Sequence, residues 1–161
     1  MIRTILVALD ESERVSGVLR ATVEIGAKFL ARVRPLRAEL RPEVPPEAAG
    51  SPLDPLLEPP SKRARRDLDR LVADMADVAM VAMDSPIVRV GEPARILLEA
   101  GEELDVGPVV VGSHGYDAID PILGTTAGRV ANQSKRSVLD VHERTAGNRD
   151  LGPLRLAEEA N

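Results

Sequence analysis

Apolar residues recur along this chain in two rhythms, and the switches between them lay out its elements. Ile5, Leu6, Val7, Ala8 and Leu9 run almost without interruption, as expected of a strand covered on both faces. That strand spans residues 2–9 and ends at Asp10. From Val15 the rhythm becomes helical: Val15, Val18, Leu19, Thr22, Ile25, Gly26, Phe29 and Leu30 share one stripe, with Ser12 placed to cap the helix. Residues 33–38, VRPLRA, form a second strand that contains Arg34 and Pro35, and a proline predicts an edge or a bulge. Seven prolines then crowd residues 41–60, which predicts a long surface excursion.

Ala64, Leu68, Leu71, Met75 and Val78 or Ala79 mark an amphipathic helix beginning at Lys62. Residues 87–90 are a short strand. Pro93 is placed as the first residue of a helix whose stripe is Ile96, Leu97, Ala100 and Leu104. Residues 109–111 make the next strand, 125–133 a helix, and 137–141 the last strand. Beyond Glu143 the chain turns polar and irregular, as a tail does. Strands alternating with crossover-length helices predict an α/β fold: a five-stranded parallel sheet, Rossmann-like, with helices on both faces.

Composition narrows the classes. The 161 residues suit one domain, over residues 1–142, followed by a tail over 143–161. A net charge of −5 leaves no basic surplus for nonspecific nucleic-acid binding. The absence of cysteine excludes disulfides, thiolate zinc sites and a cysteine nucleophile. The N-terminal apolar run is too short for a signal segment or a membrane span, so a cytoplasmic protein without a membrane partner is expected. With one Phe, one Tyr and no Trp, the core must be aliphatic, and stacking on a base has few rings to draw on.

The richest stretch is VVVGSHGYDAIDPILGTTAGR, residues 109–129. A strand that ends in glycine, with a hydroxyl-rich helix start close behind, presents backbone N–H groups to an anion. Gly112 and Gly115 allow close approach of the backbone or a positive φ. Thr125 and Thr126 can hold a phosphate, and Asp10 suits ribose hydroxyls or a magnesium ion. His114 is expected to line the phosphate cradle rather than act in acid–base catalysis. Asp10, His114, Asp117 and Asp120 lack the spacing of an all-protein metal cage, so Mg²⁺ would arrive with a nucleotide. Lys62, Arg63, Arg65, Arg66 and Arg70 are expected to form a solvated face, with Arg63–Asp67 and Asp67–Arg70 as helical pairs.

The segments ILVALDESE, RVGEPARILLEAGEELD, VVVGSHG and LGTTAGRVANQSKRSVLDV together resemble the universal stress protein family, across residues 1–142. The resemblance implies strand order 3-2-1-4-5, frequent homodimers and, in one branch, ATP binding. That branch carries glycine, two residues, glycine, nine residues, then glycine and Ser or Thr. Gly112, Gly115, Gly124 and Thr125 match it, with eight residues rather than nine between the second and third glycines. Asp10 matches the ribose-side acid. Ala38 falls where backbone atoms read adenine, and Ala8 lies with it under the base. The implied function is a regulatory ATP binder, accompanied by Mg²⁺, with at most slow hydrolysis. The alternative is a nucleotide-free adaptor working through dimer or protein-partner surfaces. Asp140 in VLDV puts a charge on the edge strand that the family's dimer often pairs, which discourages such pairing.

Overall fold

The computed structural model describes residues 1–40, 60–76, 79, 81–112 and 125–142. Residues 41–59, 77, 78, 80, 113–124 and 143–161 lie outside the described residues, and with them the expected proline-rich excursion and the expected tail. Five parallel strands form one sheet in the order β3-β2-β1-β4-β5. They are β1 (Thr4–Ala8), β2 (Arg32–Glu39), β3 (Ile87–Val90), β4 (Val109–Gly112) and β5 (Val138–Val141). The helices are α1 (Val15–Phe29), α2 (Pro60–Ala76), α3 (Pro93–Glu103) and α4 (Thr125–Gln133). Among the described residues no helix is long and apolar enough to cross a membrane.

The near-continuous apolar run of β1 is explained by its two faces. Successive side chains point to opposite sides of a sheet, and the core divides accordingly. Leu6, Leu36, Val109 and Val111 pack against Ala94, Leu97 and Ala100 of α3 and Ala127 and Val130 of α4. Ile5, Val7, Val33 and Val110 face the other way, onto Val18, Leu19 and Val23 of α1 and Leu68 of α2. Leu68 is fully buried, and a leucine so placed contributes about 2 kcal/mol of transfer free energy. The helix it anchors begins at Pro60 rather than Lys62, since proline is well accommodated in a helix's first turn. Its exposed face carries the expected Arg63–Asp67 pair at 3.8 Å and a closer one, Arg65–Asp69, at 3.1 Å.

Two details of α1 depart from the sequence pattern. Arg14, not Ser12, occupies the N-cap position, and no side chain caps the helix. Ser12 instead donates from its N–H and Oγ to Asp10 Oδ1, at 3.0 and 2.6 Å. The buried stripe also stops early: Val23 belongs to it, whereas Phe29 and Leu30 are 54% and 93% exposed. Leu30 ends the helix with φ 54° and ψ 37°, a left-handed conformation that glycine adopts most readily.

Pro35 lies in an internal strand, not at an edge, and the sheet accommodates it through its neighbour. Val33 both donates to and accepts from the β3 side, through Ala82 O and Asp84 N, so Pro35, two residues on, faces that side too. There the partner chain makes a detour. Val33 is bridged to Met83 whereas Leu36 pairs with Ile87, which leaves one extra residue beside Pro35. The missing N–H therefore points where no regular ladder forms. Asp84 sits in this detour, its side chain 8% exposed. It accepts from Arg34 Nε at 2.8 Å and from the Arg32 guanidinium. Arg34, an odd residue for a strand, is thus half of a clamp that holds the detour.

Burial alone would raise the Asp84 pKa, but the hydrogen bonds and charges of Arg32 and Arg34 together hold it below its ordinary 3.8. A carboxylate whose pKa is lowered on folding contributes stability above its unfolded value and loses it as pH falls through the folded one. Asp84→Asn is therefore expected to lower stability by about 1–2 kcal/mol at neutral pH, with the difference from wild type shrinking below pH 3.8. Melting temperatures across pH 2–7 check this, and a constant difference would contradict it. Leu30→Gly is expected to raise stability by about 0.5–1 kcal/mol, measured by denaturant unfolding.

Candidate functional site

Strand order reverses between β1 and β4, and in open α/β sheets a crevice opens beyond the strand ends at such a point. A cavity of about 240 Å³ lies there. Ala8, Leu9 and Asp10 enter it from the end of β1, Leu36 and Ala38 from β2, and Val111 and Gly112 from β4. Ser12, Arg14, Val15 and Val18 come from the start of α1, Thr125, Thr126 and Ala127 from the start of α4. Pro93 and Leu97 of α3 and Val141 of β5 complete it. Much of the wall is aliphatic, while hydroxyls, one guanidinium and one carboxylate sit at helix starts and strand ends. Ala8, Asp10, Ala38, Gly112, Thr125 and Thr126, dispersed in sequence, therefore share one cavity. His114, Gly115 and Gly124 lie outside the described residues.

Asp10 is held from two directions. Its Oδ1 accepts from Ser12, and its backbone carbonyl accepts from Arg37 Nη2 at 2.7 Å. The Arg37 side chain is only 6% exposed and lies 3.7 Å from the Glu11 carboxylate. Sequence reasoning missed Arg37, because a basic residue in a strand carries no sign of the loop it will reach. Glu39, nearby, is pushed above its ordinary pKa, first by burial and then by Glu11, with Arg37 pulling partly the other way.

The helix N-termini at the cavity differ in how their donors are used. At α3, Glu92 accepts from the N–H groups of Ala94 and Arg95, at 3.2 and 2.9 Å, and receives Arg129 Nη1 from α4 at 2.8 Å. The Arg95 backbone bond leads the causes that hold the Glu92 pKa below its ordinary value. That helix start is satisfied by its own chain. The first turns of α1 and α4 carry no acidic residue, and no side chain caps α1, so among the described residues no side chain is seen to offset those dipoles as Glu92 does at α3.

Gly112 has a packing role beside its place in the cavity wall. It does not adopt a positive φ. A Cβ at this position would stand 2.7 Å from Val18 Cγ2, closer than carbon atoms pack, so glycine here lets α1 close down on the tip of β4.

Comparison with known proteins gives the family to which this fold belongs. The model of the universal stress protein family matches residues 1–142. This chain belongs to that family. It is similar to universal stress protein A homolog 2 of Coxiella burnetii, at 33% identity over 88 residues, 55% of this chain and 55% of that protein. The match thus spans about half the length of that relative. Its fold is shared with a universal stress protein solved in complex with cAMP, with TM-score 0.62, 23% identity, and coverage of 88% of this chain and 97% of that one. It is also shared with the universal stress protein of Archaeoglobus fulgidus in complex with dAMP. The values there are TM-score 0.59, 20% identity, and coverage of 87% and 98%.

Gly112→Ala is expected to destabilise this universal stress protein by about 1–3 kcal/mol through overpacking against Val18. In a Val18→Ala background the same change should cost clearly less. A double-mutant cycle in denaturant reads the difference; equal losses in both backgrounds would show that the contact is not responsible.

Proposed function

We propose that this universal stress protein is a regulatory binder of an adenine nucleotide, ATP by preference, in the cavity at the β1–β4 switch. The observation that carries this reading is the division of that cavity. Leu36, Ala38 and Leu97 form an apolar wall suited to a base. Thr125 and Thr126 stand at the N-terminus of α4, suited to phosphate oxygens. Asp10, whose carboxylate accepts from Ser12 and whose backbone is held by Arg37, shares the cavity and suits ribose hydroxyls. That two relatives were solved with cAMP and dAMP supports the adenine assignment, because both ligands share that base.

Mg²⁺ would accompany the phosphates. Asp10 is the one carboxylate among the described residues that line the cavity, so the ion would draw its other ligands from phosphate oxygens and water. The proposed role is regulatory, in a homodimer and with at most slow hydrolysis. On β5, the open edge next to β4, Asp140 lies 2.8 Å from His142. A nucleotide-free adaptor is the second reading, and the Gly112–Val18 contact favours it. Glycine is required there by packing, whatever the cavity holds.

Titration calorimetry of ATP with Mg²⁺, on full-length protein stripped of bound nucleotide, tests the proposal. One ATP per chain is expected, with stabilisation by about 2.7 kcal/mol at a hundredfold excess over Kd. Thr125→Val with Thr126→Val should weaken ATP about tenfold and leave the unliganded melting temperature near wild type. Absence of both heat and thermal shift in the wild type would establish the adaptor reading instead.

A further inference from the structure

Arg14 lines the cavity and is the one lysine or arginine among the described residues that do so. Its position follows from the first turn of α1. The N–H of Val18 donates to the Arg14 carbonyl at 3.1 Å, so the two residues lie one helical turn apart on the same face. Val18 is the residue that meets Gly112. Arg14 therefore stands one turn above that contact, over the carboxyl end of β4.

No described acid consumes its charge. Among the described residues no carboxylate lies within ion-pair distance of Arg14, whereas the acids around the site have other partners. Glu11 faces Arg37, Glu92 receives Arg129, and Asp10 Oδ1 accepts from Ser12. A guanidinium at a helix N-terminus is also disfavoured by the helix dipole. No acidic residue in the first turn offsets it and no side chain caps the helix. Arg14 is a partly buried cation at the unfavourable end of a helix, lining a cavity and unmatched by any acid among the described residues. Such an arrangement is balanced by an external anion, and a guanidinium is the side chain best shaped to hold two phosphate oxygens at once.

We propose that Arg14 is a phosphate-binding residue of the nucleotide cavity and makes it select a polyphosphate tail over a monophosphate or a bare nucleoside. This rests on the nucleotide reading above. It adds a contact from α1, opposite the Thr125 and Thr126 hydroxyls of α4, so that the tail is held from both faces of the sheet. Nucleotides that differ only in phosphate number are then distinguished by this one charge.

The test is calorimetric titration of ATP, ADP, AMP and adenosine into stripped full-length wild type, Arg14→Ala and Arg14→Lys, at low and at moderate salt. Arg14 lies outside the core, and unliganded melting curves verify that each variant folds. Wild type should bind ATP and ADP more tightly than AMP. Arg14→Ala should lose about tenfold for ATP, change less than about twofold for adenosine, and show a weaker salt dependence for ATP. Arg14→Lys should recover part of the loss, since it restores the charge without the paired donors. Wild-type ATP affinity in Arg14→Ala, or an equal loss for ATP and adenosine, overturns the inference while leaving nucleotide binding intact. Failure of the wild type to bind any of the four ligands overturns the nucleotide reading and this inference with it.

Discussion

The approach of α1 to the tip of β4 governs the architecture of the site. At Gly112 the backbone of β4 and the side chain of Val18 are so close that no Cβ fits between them. That contact seats the first turn of α1 over the strand ends, and with it come Arg14, Ser12 and the Asp10 turn. On the opposite face, α3 and α4 pack on Leu6, Val109 and Val111 and bring Thr125 and Thr126 to the same edge. The cavity is what remains between two helix layers laid down separately on one doubly covered sheet.

Charge is distributed according to the same plan. Where the backbone departs from regularity, arginines pair with acids and hold the irregular segment. Arg32 and Arg34 secure the detour at Asp84, and Arg37 secures the Asp10 loop from within the sheet. Surface pairs such as Arg95–Glu99 and Lys135–Glu102 are exposed and contribute little each. The buried or half-buried arginines matter more, because a partnerless guanidinium removed from water is costly. Against this background Arg14, with no acid beside it among the described residues, is distinguished by its place in the cavity.

Much of the fold was legible in the pattern of apolar residues. The unbroken run at residues 5–9, the proline at position 93 and the short strands near residues 87 and 109 all match the observed elements, because each depends on local periodicity or on proline stereochemistry. The helix α1 departs from its sequence pattern at both ends. Ser12 has the chemistry of a cap, but a neighbouring carboxylate competes for its donors, and whether Phe29 is buried depends on where the sheet stops. Pro35 predicts an edge or a bulge, and the strand is internal, with an irregular ladder opposite the proline. What accommodates it is an extra residue in the segment leading into β3, about fifty positions away in sequence, which no local pattern reveals.

For the site, local chemistry and tertiary placement divide in a similar way. Local pattern alone specifies the parallel α/β class, the aliphatic core and the acid, glycine and threonines that belong at strand ends and helix starts. These follow from side-chain periodicity and backbone stereochemistry, which act over a few residues. Packing brings Ala8, Ala38, Gly112 and Thr125 into one cavity, leaves no room for a Cβ between Gly112 and Val18, and sets Arg37 against Asp10. Those outcomes are set by distances between segments far apart in the chain, and such distances exist only once the helices have packed on the sheet.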